Sequence, residues 1–260
     1  MGSAHAQGPL WGAAAEEFAE LLEPTATPIY EAAFDGIGVT TATRLLDVGC
    51  GAGLALQLAH KRGAAVTGLD ASEQLLAVAR SRLPDADLRQ GDVEELPYAS
   101  GSFDAVTAFN SVQYATDPVQ ALREVKRVAF PRAPVAVATW GDPERCQARA
   151  IIAAIGGLLP PPPPGAGGPF ALAAPGALEA LVESATLTVE RALEVPTPFT
   201  WPDVGTAVRA NLSPGPARAA INHSGIDRVR DALTAVFEAC TGPDGSVRLD
   251  NVFRVVVAHA

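Results

Sequence analysis

Positive charge is in short supply in this chain: 19 lysines and arginines stand against 29 aspartates and glutamates, for a formal net charge of -10. Such a chain lacks the basic footprint of a nucleic-acid surface, which disfavours DNA or RNA as a partner. Cysteine is equally sparse. Cys50, Cys146 and Cys240 are far apart and form no CxxC or Cys/His pair, so neither a disulfide framework nor a zinc site is indicated, and a reducing cytoplasm is the expected compartment. Long apolar runs are missing too. The longest, IIAAIGGLLP at 151–160, is too short to span a bilayer and ends in prolines. The first residues, MGSAHAQGPLWG, have neither a basic n-region nor an apolar h-region, so they do not read as a secretory signal and are expected to be a disordered tail. No fixed-period repeat is present.

What is there describes an ordinary soluble globular protein. At 260 residues and 48% hydrophobic content, the chain can bury one substantial core with an added cap. Residues 10–34 carry apolar positions at helical spacing (Leu10, Ala14, Phe18, Leu21, Leu22, Ile29, Tyr30, Phe34) broken by Pro24 and Pro28, which predicts two short helices. From Arg44 the pattern alternates: LLDV, a helix over 53–62, AVTGLD, a helix over 72–82, DLRQGD, FDAVTAFN, a helix over 117–129, then PVAVATW. Alternation with short connections predicts a parallel sheet covered by helices, and the nearly continuous apolar strands are expected to be buried on both faces. After Trp140 the regularity stops. PPPPPGAGGP reads as a stiff linker within an insertion over 141–175, followed by a helix over 176–185, a strand over 186–195, two or three helices over 202–240 and a hairpin-like closing strand in GSVRLDNVFRVVVAHA. The expected division is 1–43 as N-terminal tail and cap helices, 44–140 as the ligand-binding core, and 141–260 as the remainder of the same domain with cap insertions and final strands.

The stretch LLDVGCGAGLAL at 45–56 carries the chemistry. A strand entering a glycine turn and then a helix presents free N–H groups and a partial positive charge to a ligand. Its glycines, Gly49, Gly51 and Gly53, give D-x-G-x-G-x-G from Asp47; the dinucleotide fingerprint G-x-G-x-x-G/A fails from either starting glycine, and no Gly-Lys-Ser/Thr follows for a P-loop. Asp47 puts a negative charge at the carboxyl end of the first strand, where a cationic group can sit. Asp70 ends the second strand and suits the two hydroxyls of a ribose. Asp92 ends the third and suits an exocyclic amine such as adenine N6. Together they describe a nucleoside with a positively charged tail.

LDVGCGAG, GLDAS, GDVEELPYASGSFDAV and FNSVQYATDPVQALREVKRV, in that order and spacing, resemble the motifs of class I S-adenosylmethionine-dependent methyltransferases, close to the small-molecule branch of ubiquinone-biosynthesis C-methyltransferases. The resemblance covers roughly 44–140. It implies a Rossmann-like α/β fold, a seven-stranded mostly parallel sheet with helices on both faces, the last strand antiparallel and a helical cap. It implies S-adenosyl-L-methionine as cofactor and S-adenosyl-L-homocysteine as product. It places Gly49, Cys50, Gly51 and Gly53 along the methionine moiety with Asp47 near its amino group, Asp70 and Ala71 at the ribose, Asp92 and Val93 at adenine, and Asn110 and Gln113 beside the methyl end. Where the family turns into its fifth strand with a Pro-Gly-Gly type sequence, this chain has FPRAP at 130–134, a stiffer turn.

Candidates for a catalytic base are few. His5 is in the tail, His259 at the terminus, and His60 ends a helix beside Lys61 and Arg62, where cations suit the negative helix end. His223 in the expected cap is the remaining histidine. Tyr114, after the fourth strand, is expected either to face the reaction as a catalytic residue or to serve in packing. Aromatic residues outside the central strands suit an apolar acceptor and ordinary packing equally. The expected function is in-line methyl transfer to a small-molecule acceptor of secondary-metabolite type. The competing readings are a non-methylating member of the fold, either a cofactor-binding scaffold or a cyclase, and a nicotinamide oxidoreductase, which the glycine spacing disfavours. An NSVQY sequence where amino-methylating DNA enzymes carry Asn/Asp-Pro-Pro-Tyr argues against a nucleic-acid substrate. Neither a membrane partner nor a metal is expected, and the oligomeric state is left open.

Overall fold

A computed structural model describes residues 2–161 and 168–260. Strands β1 (Arg44–Val48), β2 (Ala65–Asp70), β3 (Asp87–Gln90), β4 (Ala105–Phe109) and β5 (Pro134–Trp140) run parallel. Two later strands, β6 (Thr188–Pro196) and β9 (Val252–His259), complete a seven-stranded sheet of order β3-β2-β1-β4-β5-β9-β6, in which β9 is antiparallel to both neighbours. The inner strands β1, β4 and β5 are largely apolar because both faces are covered: Leu45 belongs to one core cluster, Leu46 and Val48 to the other, whereas the edge strands β3 and β6 are more polar and mostly exposed. This is the Rossmann-like sheet expected, with its single antiparallel strand.

The closing hairpin is not formed. β8 (Val247–Leu249) pairs with β7 (Phe199–Trp201) in a separate ribbon, and β9 pairs elsewhere. The bend between β8 and β9 is held by Asn251, a buried side chain whose Oδ1 accepts the Ala148 amide at 2.9 Å and whose Nδ2 donates to the Leu249 carbonyl. That anchor turns the chain from ribbon into sheet instead of folding it back on itself.

The first residues are helical rather than a loose tail. α1 (Ala4–Gly12) is followed by a short α2 (Ala15–Glu17), a π-helical turn over Phe18–Leu22, a 3-10 turn over Glu23–Ala26, and α3 (Thr27–Ile37). Pro24 and Pro28 are the second residues of the Glu23–Ala26 turn and of α3, within the first turn where the missing N–H costs nothing, so they help to start these elements instead of breaking them. α1 is held from outside: the Ala4 amide donates to Asp92 Oδ2 at 2.9 Å, and a Cβ at Gly8 would lie 2.4 Å from the Ala71 carbonyl oxygen. Only glycine permits that approach of helix to loop.

The core helices begin where their capping residues stand. α4 (Leu54–Lys61) starts after Gly53; Ser72 caps α5 (Glu73–Arg82) by accepting the Leu75 amide, and Asp117 caps α6 (Pro118–Val128) by accepting that of Gln120. In the FPRAP turn Arg132 takes a left-handed φ of 66°, a conformation that glycine adopts without steric cost, and its amide donates to the Ala260 carbonyl. The insertion expected to be irregular contains α7 (Arg149–Gly156); most of the PPPPPGAGGP stretch, residues 162–167, lies outside the described residues. α8 (Ala177–Ser184) packs on the sheet, and α9 (Val204–Leu212), α10 (Gly215–Ser224) and α11 (Ile226–Glu238) form a cap. No described helix is long and apolar enough to cross a membrane.

Candidate active site

At the carboxyl ends of β1 and β2 the glycine turn adopts left-handed φ values of 80°, 54° and 84° at Gly49, Gly51 and Gly53. The Gly49 and Cys50 amides donate to the Leu69 carbonyl, which ties the turn to β2. The Gly51 amide donates to Asp70 Oδ2 and the Ser72 amide to Asp70 Oδ1, each at 2.8 Å, so one carboxylate shapes both the turn and the start of α5. A Cβ at Gly49 would stand 2.4 Å from Ser111 Cβ, because the loop after β4 packs directly on the turn. In that loop Asn110 has a φ of 51°, a strained conformation of the kind that functional sites hold in place.

Three carboxylates are buried along this wall: Glu23, Asp47 and Asp70 are 4%, 2% and 8% exposed. Burial raises the Asp47 pKa to about 7, helped by the nearby charges of Asp70 and Glu23 and opposed by the hydroxyl of Thr107, which donates to Oδ1 at 2.8 Å. Burial likewise raises Asp70, against the pull of the amides it accepts. Glu23 has an ion-pair partner, Arg82, and accepts the Leu54 amide at 3.1 Å, clasping the N-terminal segment to the first turn of α4. Asp47 and Asp70 have no cationic partner among the described residues. Such a wall suits a ligand that brings its own positive charge and hydrogen-bond donors.

These groups open into one continuous cavity of about 370 Å³. Asp47, Gly49, Cys50, Gly51, Asp70, Ala71, Val93, Asn110 and Tyr114 line it, so nine of the residues singled out from the sequence converge. Four do not line it. Gly53 is the N-cap of α4. Asp92 accepts the Ala4 amide on Oδ2 and the Glu94 amide on Oδ1, holding α1 beside Val93. Gln113 donates to Asn110 Oδ1 and leaves its own Oε1 buried without a partner. His223 lies exposed in the last turn of α10, away from the cavity, which removes it as the base of this site. Tyr114 packs its ring on Trp11 of α1 at 5.4 Å between centroids, and burial raises its hydroxyl to about 12, so it keeps its proton. The Cys50 thiol is pushed up by burial, and a Cβ on Gly68 would lie only 2.7 Å from its sulfur; it packs and does not act as a thiolate.

Several lining residues escaped sequence reasoning. Glu23, beside a proline in a broken helical stretch, carried no signal, and neither did Asn211 in α9. Tyr30 was legible only as a helical apolar position. It meets Phe109 edge to face at 4.8 Å between centroids, and burial together with the charges of Glu23 and Asp47 holds its phenol well above its ordinary pKa.

With strand order, glycine turn and acidic strand ends in place, residues 46–137 match the family model described as a methyltransferase domain. This segment is a class I methyltransferase domain, of the type that uses S-adenosylmethionine, and it is similar to enzymes of ubiquinone and menaquinone biosynthesis. A demethylmenaquinone methyltransferase of Renibacterium salmoninarum is 37% identical over 109 residues, covering 42% of this chain and 46% of that protein. A ubiquinone biosynthesis O-methyltransferase of Paracidovorax citrulli is 31% identical over 158 residues, covering 58% and 66%. The matched region thus spans 46% of the length of the first of these curated relatives and 66% of the second. Among solved structures, the [4+2]-cyclase SpnF shares the fold with a TM-score of 0.57 at 18% identity, covering 90% of this chain and 81% of that one. A SAM-dependent methyltransferase from Aquifex aeolicus does so at 0.54 and 19%, covering 70% and 92%.

Proposed function

We propose that this chain is an S-adenosylmethionine-dependent methyltransferase acting on a small molecule. The observation that carries the reading is a wall of buried carboxylates, two of them without a cation, joined in one cavity to an apolar chamber. When bound, S-adenosylmethionine supplies a methyl group on a sulfonium sulfur that leaves as a neutral thioether. The residues then divide the work of holding it. Asp47 takes the ammonium of the methionine moiety, and the left-handed glycine turn lets that moiety lie against backbone. Asp70 keeps its amide bonds and offers its remaining lone pairs to the ribose hydroxyls. Ala71 and Val93 flank the nucleoside, and Asp92 acts by drawing α1 over its adenine end. Asn110 fixes the methyl end, with Gln113 bracing its side chain.

The contribution to rate is alignment and exclusion of water, effects worth about 7–11 kcal/mol when the reacting atoms are held near attack distance. Cys50, Tyr30 and Tyr114 hold their protons, so none acts as base or nucleophile at neutral pH. The acceptor therefore brings a nucleophile that reacts without one of these groups as its base. Calorimetric titration with S-adenosylhomocysteine, with NAD as control, tests the assignment. Micromolar binding of the first and none of the second is expected, and Asp70→Ala is expected to weaken it at least a hundredfold. Binding of NAD alone would refute the reading. A protein that binds S-adenosylhomocysteine yet releases none from S-adenosylmethionine across a broad acceptor panel would instead be a non-methylating scaffold or cyclase.

A further inference from the structure

The apolar part of the cavity lining defines what it accepts, and this inference rests on the methyltransferase reading of the acidic part. Its wall is built from Trp140, Ile151, Ile155, Phe199 and Phe253, with the rings of Trp140 and Phe253 4.4 Å apart between centroids. Among the described residues no lysine, arginine or histidine lines the cavity. Residues 162–167 are proline, glycine and alanine and carry no ionisable side chain. An acceptor bearing a carboxylate or phosphate would meet hydrocarbon at one end and Glu23, Asp47 and Asp70 at the other, losing its hydration without a counter-charge.

The cap adds one polar side chain to the lining of this cavity, Asn211. Asn211 on α9 is 4% exposed, and its Nδ2 donates to the Ala207 carbonyl at 2.9 Å. That bond requires the NH2 end of the amide, and Oδ1, the other end of a side chain that lines the cavity, accepts no hydrogen bond from the described protein. An acceptor that a ligand cuts off from water costs free energy unless the ligand supplies a donor in its place.

We infer that the acceptor is an uncharged, predominantly apolar molecule held by donating an O–H or N–H to Asn211 Oδ1. Three probes of one size test this: 2-naphthol, 2-methoxynaphthalene and 2-naphthoate, each titrated at neutral pH into protein saturated with S-adenosylhomocysteine. The naphthol is expected to bind at least tenfold more tightly than the naphthoate, whose charge stays unpaired in the chamber. Asn211→Leu is expected to bring the naphthol down to the level of 2-methoxynaphthalene while leaving the latter's affinity unchanged. Naphthoate binding as tightly as naphthol, absence of binding by all three probes, or a variant that keeps the naphthol preference overturns the inference. Should the variant fail to fold, the ratio measured on the unaltered protein still decides. Should S-adenosylhomocysteine fail to bind, the cofactor reading falls, and the same ratios measured on the free protein judge the chamber separately.

Discussion

Replacing Asp47 with asparagine removes one buried charge and keeps an oxygen for the Thr107 hydroxyl. The consequence is a pH dependence that can be worked out. Asp47 moves from 3.8 to about 7 on folding, so the folded state favours the protonated acid. A carboxyl group with a raised folded pKa contributes stability that is fully present below its unfolded value and is lost as pH climbs through its folded value. Between pH 5.5 and pH 8 the loss amounts to about 2 kcal/mol, steepest near the lower end of that range. Asp70 and Glu23 face Asp47 and push its pKa up, while the Thr107 hydroxyl pulls it down; all three stay in place in the variant, so their own contributions largely cancel in a difference. Urea unfolding of both proteins across this pH range is the assay. The variant should gain on the parent by about 2 kcal/mol from the lowest to the highest pH. A stability difference that does not change with pH would refute the burial argument. Ligand binding should mirror it. If S-adenosylhomocysteine pairs its ammonium with ionised Asp47, affinity rises roughly eightfold from pH 6 to pH 7.5 in the parent and stays flat in the variant.

Two other substitutions probe the architecture of the site. Gly49→Ala forces a side chain onto a φ of 80° and places its Cβ 2.4 Å from that of Ser111. Strain and overpacking together should cost about 2–4 kcal/mol, read as a lower urea midpoint, and a loss below half that would show that the loop after β4 yields easily. Arg82→Met leaves Glu23 buried without its cation and should cost about 3 kcal/mol. Adding Glu23→Gln should restore part of it, and strictly additive losses in the double-mutant cycle would show that the pair is not coupled.

Much of the core could be read from the chain because it is written in short-range pattern. Apolar runs of strand length, Ser72 and Asp117 just ahead of amphipathic helices, and aspartates at strand ends all report on structure within a few residues of themselves. That is why the elements from β1 to β5 fall within two or three residues of their expected bounds, and why Asp47, Asp70 and the glycine turn meet where they were expected. α1 was unreadable for the opposite reason. Its small residues and Pro9 show no amphipathic face, and it is held by Asp92 and by its close approach to Ala71, contacts some sixty to ninety residues away along the chain. His223 was placed near the reaction because a histidine in a cap suits a base; its position on the outer turn of α10 depends on how α10 packs, which its neighbours in sequence do not encode.

The sequence by itself determined the α/β core, its strand succession and the acidic, glycine-rich turn that marks a cofactor of nucleoside type, because these follow from hydrophobic period and local backbone conformation. Only the tertiary structure decided that Glu23 joins Asp47 and Asp70 in one wall of carboxyl groups, that Asn211 lines the same cavity as Trp140, Phe199 and Phe253, and that β8 leaves β9 for β7. Each of those depends on side chains meeting across long loops, where burial and charge act through space and leave no mark on the neighbouring residues.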